Sequence, residues 1–286
     1  MRNVRDVTDL DLVRRVEAGW DAINVETARS QRALDPALGA DWIAVGGGHA
    51  AFLGMGSFLS QAQGLALDGP VGEDEIARME QFFLDRGTPV QVEVATLADP
   101  SFLTALCLRG YTVADQSHSL VCPLEAGGGD TRDDAETDTA SLQIVPAGVG
   151  DWDTLVDVTL RCFFEDPESA PPLLREGMLA MAALPANTGW LAVVDGEPAG
   201  GGSLWIHEGL ALFYTDGTLA PYRGRGIHSA LLQARLDHAR AAGCDLAAIV
   251  TPPGGGSQRT AQRAGFVLSH ARTMMVRHAD AKSDEM

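Results

Sequence analysis

Tyr222-Arg223-Gly224-Arg225-Gly226-Ile227-His228-Ser229 sets two glycines and two arginines ahead of a helical pattern. Glycine admits left-handed backbone and lets N–H groups meet a ligand with no Cβ in the way. A helix N-terminus adds orphan donors and a partial positive charge. The arginines add whole charges. Together these are the parts of a phosphate cradle. An ATP-type loop would need Gly-Lys-Ser/Thr, and the segment has no lysine. A dinucleotide loop would need an acid at the end of the next strand, and Asp245 begins that strand instead. Taken alone, the segment also reads as a tight strand-to-helix turn with solvated arginines.

Proton transfer at such a site would also need a base. His207, Glu208 and Asp216 are the candidates on the strands ahead of the loop. Asp216 and Tyr214 would share one strand face by the two-residue period. Phe163, Phe164, Glu165 and Asp166 could border a pocket, and their acids would suit a cation. Phe-Glu-Asp-Pro is equally an ordinary helix exit. Cys107, Cys122, Cys162 and Cys244 are far apart, with no C-x-x-C pair and no zinc signature. They read as reduced, mostly buried thiols, and no metal is expected.

These residues require a scaffold of alternating elements. A strand is expected over Ser141–Pro146, and helices over Asp151–Phe163 and Leu173–Leu184. Strands follow at Trp190–Val194, Ala199–His207 and Leu210–Thr218, the last two as a hairpin across Glu208-Gly209. Then come a helix over Ile227–Ala242 capped by Gly243, a strand Asp245–Thr251, a short helix Ser257–Ala264 and a strand Phe266–Arg277. This order predicts an α+β fold, a mixed α/β sheet with helices packed on it.

With the loop set in that order, the chain resembles the GNAT superfamily of N-acetyltransferases. The family signature, Arg/Gln-x-x-Gly-x-Gly/Ala after the fourth strand, is matched by Arg223-x-x-Gly226-x-His228, and Ala264-Gly265-Phe266 opens the last strand. The resemblance covers residues 141–278. It implies acetyl-CoA as donor, its pyrophosphate on the N–H groups of Arg225, Gly226, Ile227 and His228, with Arg223, Gly224 and Ser229 completing the loop. It also implies pantetheine along Gly217, Thr218 and Leu219, pairing as an added strand does. The acceptor would be an amine of a small molecule or peptide, with Asp216 or Glu208 as base. Two positions depart from the pattern. His228 stands where the signature has Gly or Ala, and Ala261 stands where many relatives carry the tyrosine that protonates the departing thiolate. Those departures leave a rival reading, an acyl-CoA-binding module or pseudoenzyme without turnover.

The first half repeats the second. Leu108-Arg109-Gly110-Tyr111 parallels Arg263-Ala264-Gly265-Phe266 at an offset of 155, and Gly87 parallels Gly243 at 156. The expected organisation is a degenerate GNAT-like domain at 1–125, an acidic Gly-rich linker at 126–140 and a GNAT acetyltransferase domain at 141–286. In the first half the loop reads Asp68-Gly69-Pro70-Val71-Gly72-Glu73-Asp74-Glu75, whose acids would repel a pyrophosphate. Net charge is −18, which argues against nucleic acid as partner. No apolar run approaches a membrane span, and the N-terminus lacks a signal-peptide pattern, so a cytoplasmic monomer or homodimer is expected.

Overall fold

A computed structural model describes residues 9–124, 141–148, 150–164 and 166–278. The expected linker falls outside them. Two compact units divide the chain. One takes the described residues up to Ser117 together with those from His270 onward, and the other runs from His118 to Ser269.

In the first unit, α1 (Leu10–Leu34) precedes strands β1 (Asp41–Val45), β2 (Gly48–Phe52) and β3 (Gln61–Gln63). Then follow α2 (Glu73–Leu84), β4 (Val90–Ala95), α3 (Pro100–Leu108) and the start of β5 (Thr112–Pro123). The second unit continues with the end of β5, β6 (Leu142–Pro146), α4 (Trp152–Phe163), α5 (Leu174–Ala182) and β7 (Asn187–Val194). It closes with β8 (Glu197–His207), β9 (Leu210–Thr218), α6 (Ile227–Ala241), β10 (Leu246–Thr251), α7 (Gly256–Arg263) and the start of β11 (Val267–Arg277). Every element expected over 141–277 is present, near its expected ends. The fold is mixed α/β, and among the described residues no helix is long and apolar enough to cross a membrane.

Both units use one plan. The strand order is β1-β2-β3-β4-β11 in the first and β6-β7-β8-β9-β10-β5 in the second. Each has a single parallel pair, β3 with β4 and β9 with β10, among antiparallel neighbours. The last strand of each sheet comes from the other half of the sequence. Residues 118–123 of β5 pair with β10, and residues 272–277 of β11 pair with β4.

Side chains follow that exchange. Leu120, Cys122 and Leu124 join the apolar core of the second unit with Phe213, Leu231 and Phe266. His270 and Arg272 enter the first unit, where Glu17 of α1 lies buried. His270 Nε2 is 2.7 Å and Arg272 Nε 3.1 Å from Glu17 Oε1, and Arg272 donates to Gln63 Oε1 at 3.0 Å. Burial works to raise the Glu17 pKa, but the Arg272 charge and the His270 hydrogen bond together hold it below the usual carboxylate value.

In the second unit, glycines let α4 lie close on the sheet. A Cβ at Gly217 would stand 2.3 Å from Cys162 Cβ, and one at Gly201 would stand 2.4 Å from Leu155 Cδ1.

Residues 141–286 expressed alone lack the strand that covers β10. That fragment is expected to be insoluble or to bind a hydrophobic dye where the full chain does not. A soluble, dye-negative fragment with a cooperative melt would show that the exchanged strand is dispensable.

Candidate functional site

The site is built where β9 ends and α6 begins. Pairing of β9 with β10 stops at Phe213↔Ile249, although β9 runs on to Thr218. The two parallel strands thus part company, and from Tyr214 onward β9 has no β10 partner. Such an edge can accept a ligand as an added strand.

A β-bulge lies at the same place. Gly201 pairs with Gly217 and Ser203 with Tyr214, so Thr215 and Asp216 stand opposite Gly202 alone. Thr215 takes φ 54°, a left-handed conformation unusual for a β-branched residue. The extra residue breaks the expected alternation. Tyr214 faces α4 and α5, beside Trp152, Leu155 and Met178. Asp216 faces α6, where it forms an ion pair with Arg235. The expectation that the two share a face is thereby corrected, because a period of two holds only in an unbulged strand.

Arg235 is fully buried. It donates to the carbonyls of Leu231 and Ser203, each at 3.1 Å, and its guanidinium lies 4.9 Å from the Phe213 ring centroid. Gly202 makes the room, since a Cβ there would be 2.6 Å from Asp216 Oδ1. The Asp216 carboxylate is therefore committed to Arg235, on the opposite face from the groove side of α4. Glu208 sits in the exposed turn between β8 and β9, with His207 beside it. Ten residues of strand separate Glu208 from Thr218, about 30 Å at the usual rise. The structure does not bring Glu208 to the loop.

The loop itself is open. Gly224 and Gly226 both adopt left-handed φ, 78° and 77°. Gly226 is the N-cap of α6, and no side chain caps that end. The N–H groups of Ile227, His228 and Ser229 therefore have no intrahelical acceptor. Arg223 braces the turn, donating from Nε to the Thr218 carbonyl at 3.2 Å and from Nη2 to the Cys162 carbonyl at 3.0 Å. Arg225 is exposed, its guanidinium 5.5 Å from the Tyr222 ring centroid. Gly217, Thr218 and Leu219 form the stretch between bulge and loop. Cys162 packs against Gly217, and burial pushes its thiol up to about 11 against the pull of Arg223 and Arg161. It stays a thiol at neutral pH and is a poor nucleophile.

The matching turn of the first unit is closed. Glu75 accepts from the Gly72 N–H at 3.4 Å and the Gly46 N–H at 3.1 Å. Glu73, Asp74 and Glu75 occupy the first turn of α2. The start of α2 thus carries a carboxylate of its own helix, folded back onto the N-cap N–H and onto Gly46. Past the Ala62↔Val92 pair of β3 and β4, Arg272 of β11 donates to Gln63 Oε1.

A small pocket lies between α4, α5 and the bulged part of β9. Trp152, Leu155, Val156, Met178 and Ala182 form its apolar side, and Thr159, Ser203, Tyr214 and Thr215 its polar side. The Tyr214 hydroxyl donates to Asn187 Oδ1 at 2.5 Å, and burial holds its pKa far above the ordinary value. Asn187 was not anticipated; it opens β7 and reaches Tyr214 only through sheet pairing. Of the expected pocket border, Phe163 is exposed and Glu165 lies outside the described residues. No group of three or more His, Cys, Asp or Glu among the described residues could hold a metal ion.

Comparison with known proteins agrees with this geometry. Residues 152–266 match the Acetyltransferase (GNAT) family model. No curated protein sequence matches the chain. A GCN5-related N-acetyltransferase from Kribbella flavida is 16% identical with a TM-score of 0.60, over 90% of this chain and 98% of that one. A tandem GNAT protein from the clavulanic acid biosynthesis pathway is 16% identical, TM-score 0.53, over 73% and 68%. A GCN5-related N-acetyltransferase from Sphaerobacter thermophilus is 20% identical, TM-score 0.51, over 66% and 59%. At these identities the likeness is one of fold.

Two expectations test the interior of the site. Asp216→Asn leaves Arg235 buried without its counter-charge and should lower stability by about 3–5 kcal/mol in denaturant melts, with much of the loss recovered when Arg235→Met is added. An unchanged melt would show the pair to be energetically idle. His228 is the second case. Burial lowers its pKa below the usual 6.5, partly opposed by the Asp216 charge. The folded protein keeps it neutral while the unfolded chain takes up a proton near pH 6.5, so its contribution is full above that pH and fades as pH falls below it. Stability measured from pH 7 to 5 should fall less steeply in His228→Gln than in the parent.

Proposed function

We propose, starting from a C-terminal half that carries a GNAT acetyltransferase domain, that the chain transfers an acetyl group from acetyl-CoA to an amine of a small molecule or peptide. One observation carries the reading. The uncapped N–H groups of α6 and the unpaired edge of β9 adjoin in the second unit, while in the first three acids fill the opening turn of α2 and Arg272 reaches across to Gln63.

In this reading Arg225, Gly226, Ile227, His228 and Ser229 bind the pyrophosphate through backbone donors and the helix dipole. Gly224 gives the turn its shape. Arg223 holds the turn in place through two carbonyls and acts on the ligand mainly through that bracing. Pantetheine pairs with Gly217, Thr218 and Leu219, which directs the thioester toward the bulge and the Tyr214 pocket. The amine nitrogen attacks the thioester carbonyl, the C–S bond breaks, and CoA leaves as thiolate. Much of the rate comes from holding the two reactants together. The ammonium proton goes to water at the pocket mouth, since Asp216 is committed to Arg235 and Glu208 is remote. No cysteine intermediate is involved.

A second reading has its own observation. Ala261, where relatives place an acid for the thiolate, is fully buried in the core of the second unit. Its methyl group offers the leaving group no proton. A thiol of pKa about 8.5 departs without one at reduced rate, and a chain that binds acetyl-CoA without turnover would share this geometry. Release of free thiol from acetyl-CoA in the presence of amines separates the two.

CoA at 100 times its Kd should stabilise the protein by about 2.7 kcal/mol. Gly226→Asp puts a negative charge in the cradle at a left-handed position and should abolish that shift. Calorimetry showing unchanged CoA affinity in this variant would overturn the cradle. Replacing Glu73, Asp74 and Glu75 by Gly, Arg and Gly should create no second CoA site, because Arg272 still bridges to Gln63 across the groove position. A stoichiometry of two would show that charge alone disables the first unit.

A further inference from the structure

The arginines of the second unit fall into two sets. Arg175 pairs with Asp153 and Asp157, Arg235 with Asp216, and Arg240 with Asp237. Among the described residues, Arg161, Arg223, Arg225, Arg259 and Arg263 form no ion pair. Acids outnumber bases in a chain of net charge −18, so cations left without one stand out. Arg223 is engaged by two carbonyls, and Arg225 lies over the Tyr222 ring. Arg259 and Arg263 have no role in the function proposed above.

Both residues belong to α7, which borders the glycine loop. Strands β9 and β10 are parallel, so the segment that leads into α7 leaves the sheet at the same end as the segment that leads into α6. Ile227 and Leu231 of α6 share one apolar core with Ala261 of α7, and Ala264 packs against it. Arg259 and Arg263 are four positions apart, hence on one face of the helix, and both are exposed. Each is steadied by its own segment. Arg259 Nη1 donates to the Gly254 carbonyl at 2.6 Å, and Arg263 Nη2 to Thr260 Oγ1 at 3.1 Å. A guanidinium has five N–H donors, so most remain for a ligand. The first turns of α6 and α7 hold no acid that could compete. Burial is the main cause that lowers the His228 pKa, and the Arg263 charge adds to it, which sets Arg263 within electrostatic reach of the second residue of α6.

We propose that Arg259 and Arg263 form an anion subsite for the 3′-phosphate of CoA, through which the site distinguishes CoA from 3′-dephospho-CoA. The inference rests on the acetyl-CoA reading above. In that reading the pyrophosphate lies on the start of α6. The 3′-phosphate is carried by the ribose joined to that pyrophosphate, so it falls on an element that borders the loop. Of these elements α7 offers two cations on one face, and the last turn of α4 offers Arg161 alone. A phosphomonoester carries close to two negative charges at neutral pH. Planar guanidinium groups match its oxygens and hold it by charge-assisted hydrogen bonds. Without such a pair, the extra charge would meet only the repulsion of an acidic chain. Arg259 and Arg263 are specificity-determining residues for the donor in this scheme.

The test is calorimetry with CoA and 3′-dephospho-CoA, which differ only in that phosphate. The full chain is expected to bind CoA about tenfold more tightly at low salt, the size of two exposed charge contacts, and the gap should narrow at high salt. Arg259→Gln combined with Arg263→Gln should bring CoA down to the affinity of dephospho-CoA and leave dephospho-CoA unchanged. Arg263→Gln alone, a single exposed change, should cost about threefold for CoA and nothing for dephospho-CoA. Melts of each variant without ligand report folding separately. A parent that binds neither ligand sinks the acetyl-CoA reading itself. A parent that binds both equally overturns the subsite and leaves the cradle standing. The subsite is equally overturned by a double variant that keeps the preference, or by variants that lose affinity for both ligands by the same factor.

Discussion

A single inserted residue in β9 governs the second unit. The bulge at Thr215–Asp216 reverses which side of the sheet each following side chain takes. It turns Asp216 toward Arg235, turns Gly217 toward Cys162, and lets the strand leave β10. The left-handed Thr215 is held by what surrounds it, chiefly a buried ion pair that only a glycine at position 202 can accommodate. Backbone strain of this kind costs about 1–3 kcal/mol and persists where neighbours over-determine it. Here the neighbours are Phe213, the Ser203 carbonyl and the first two turns of α6. The open edge and the glycine loop are downstream of that arrangement.

The two units show how little separates an open turn at a helix start from a closed one. Both place a glycine at a helix N-cap beside a parallel strand pair. On α6 the cap is a left-handed Gly226 with nothing acidic in the first turn. On α2 it is an extended Gly72, and the Glu75 carboxylate folds back to accept from the N–H groups of Gly72 and Gly46. In one unit acids of the chain occupy the first turn of the helix, and in the other that turn holds none.

The C-terminal elements were legible because their apolar residues follow clear periods and their glycines mark the turns. The loop was legible for the same reason. α1 was not, and its buried face explains why. Glu17, Asp21, Asn24 and Gln31 share that face with Val13, Trp20 and Ile23. Their partners are His270, His49, the Gln61 carbonyl and the Leu53 carbonyl. A face that is half polar has no hydrophobic stripe to read, and the histidine that hydrogen-bonds Glu17 lies 253 positions away. The role of Asp216 was obscured for a related reason. Nothing local signals a bulge, so strict alternation placed it beside Tyr214. Asn187 gave no sign at all, since its significance comes only from the register of β7, β8 and β9.

The exchange of end strands also orders events on the ribosome. Residues 118–269 are complete as soon as α7 has emerged, with every strand of their sheet in hand. The N-terminal unit, begun first, must wait for residues 272–277 before β4 gains its outer neighbour and Glu17 its guanidinium. Until then a carboxylate meant for the interior is left without its counter-charge, and a strand edge lies uncovered. The half that is translated first is thus the last to finish, and a premature stop anywhere in α7 would release a nascent chain that neither half of the molecule can close.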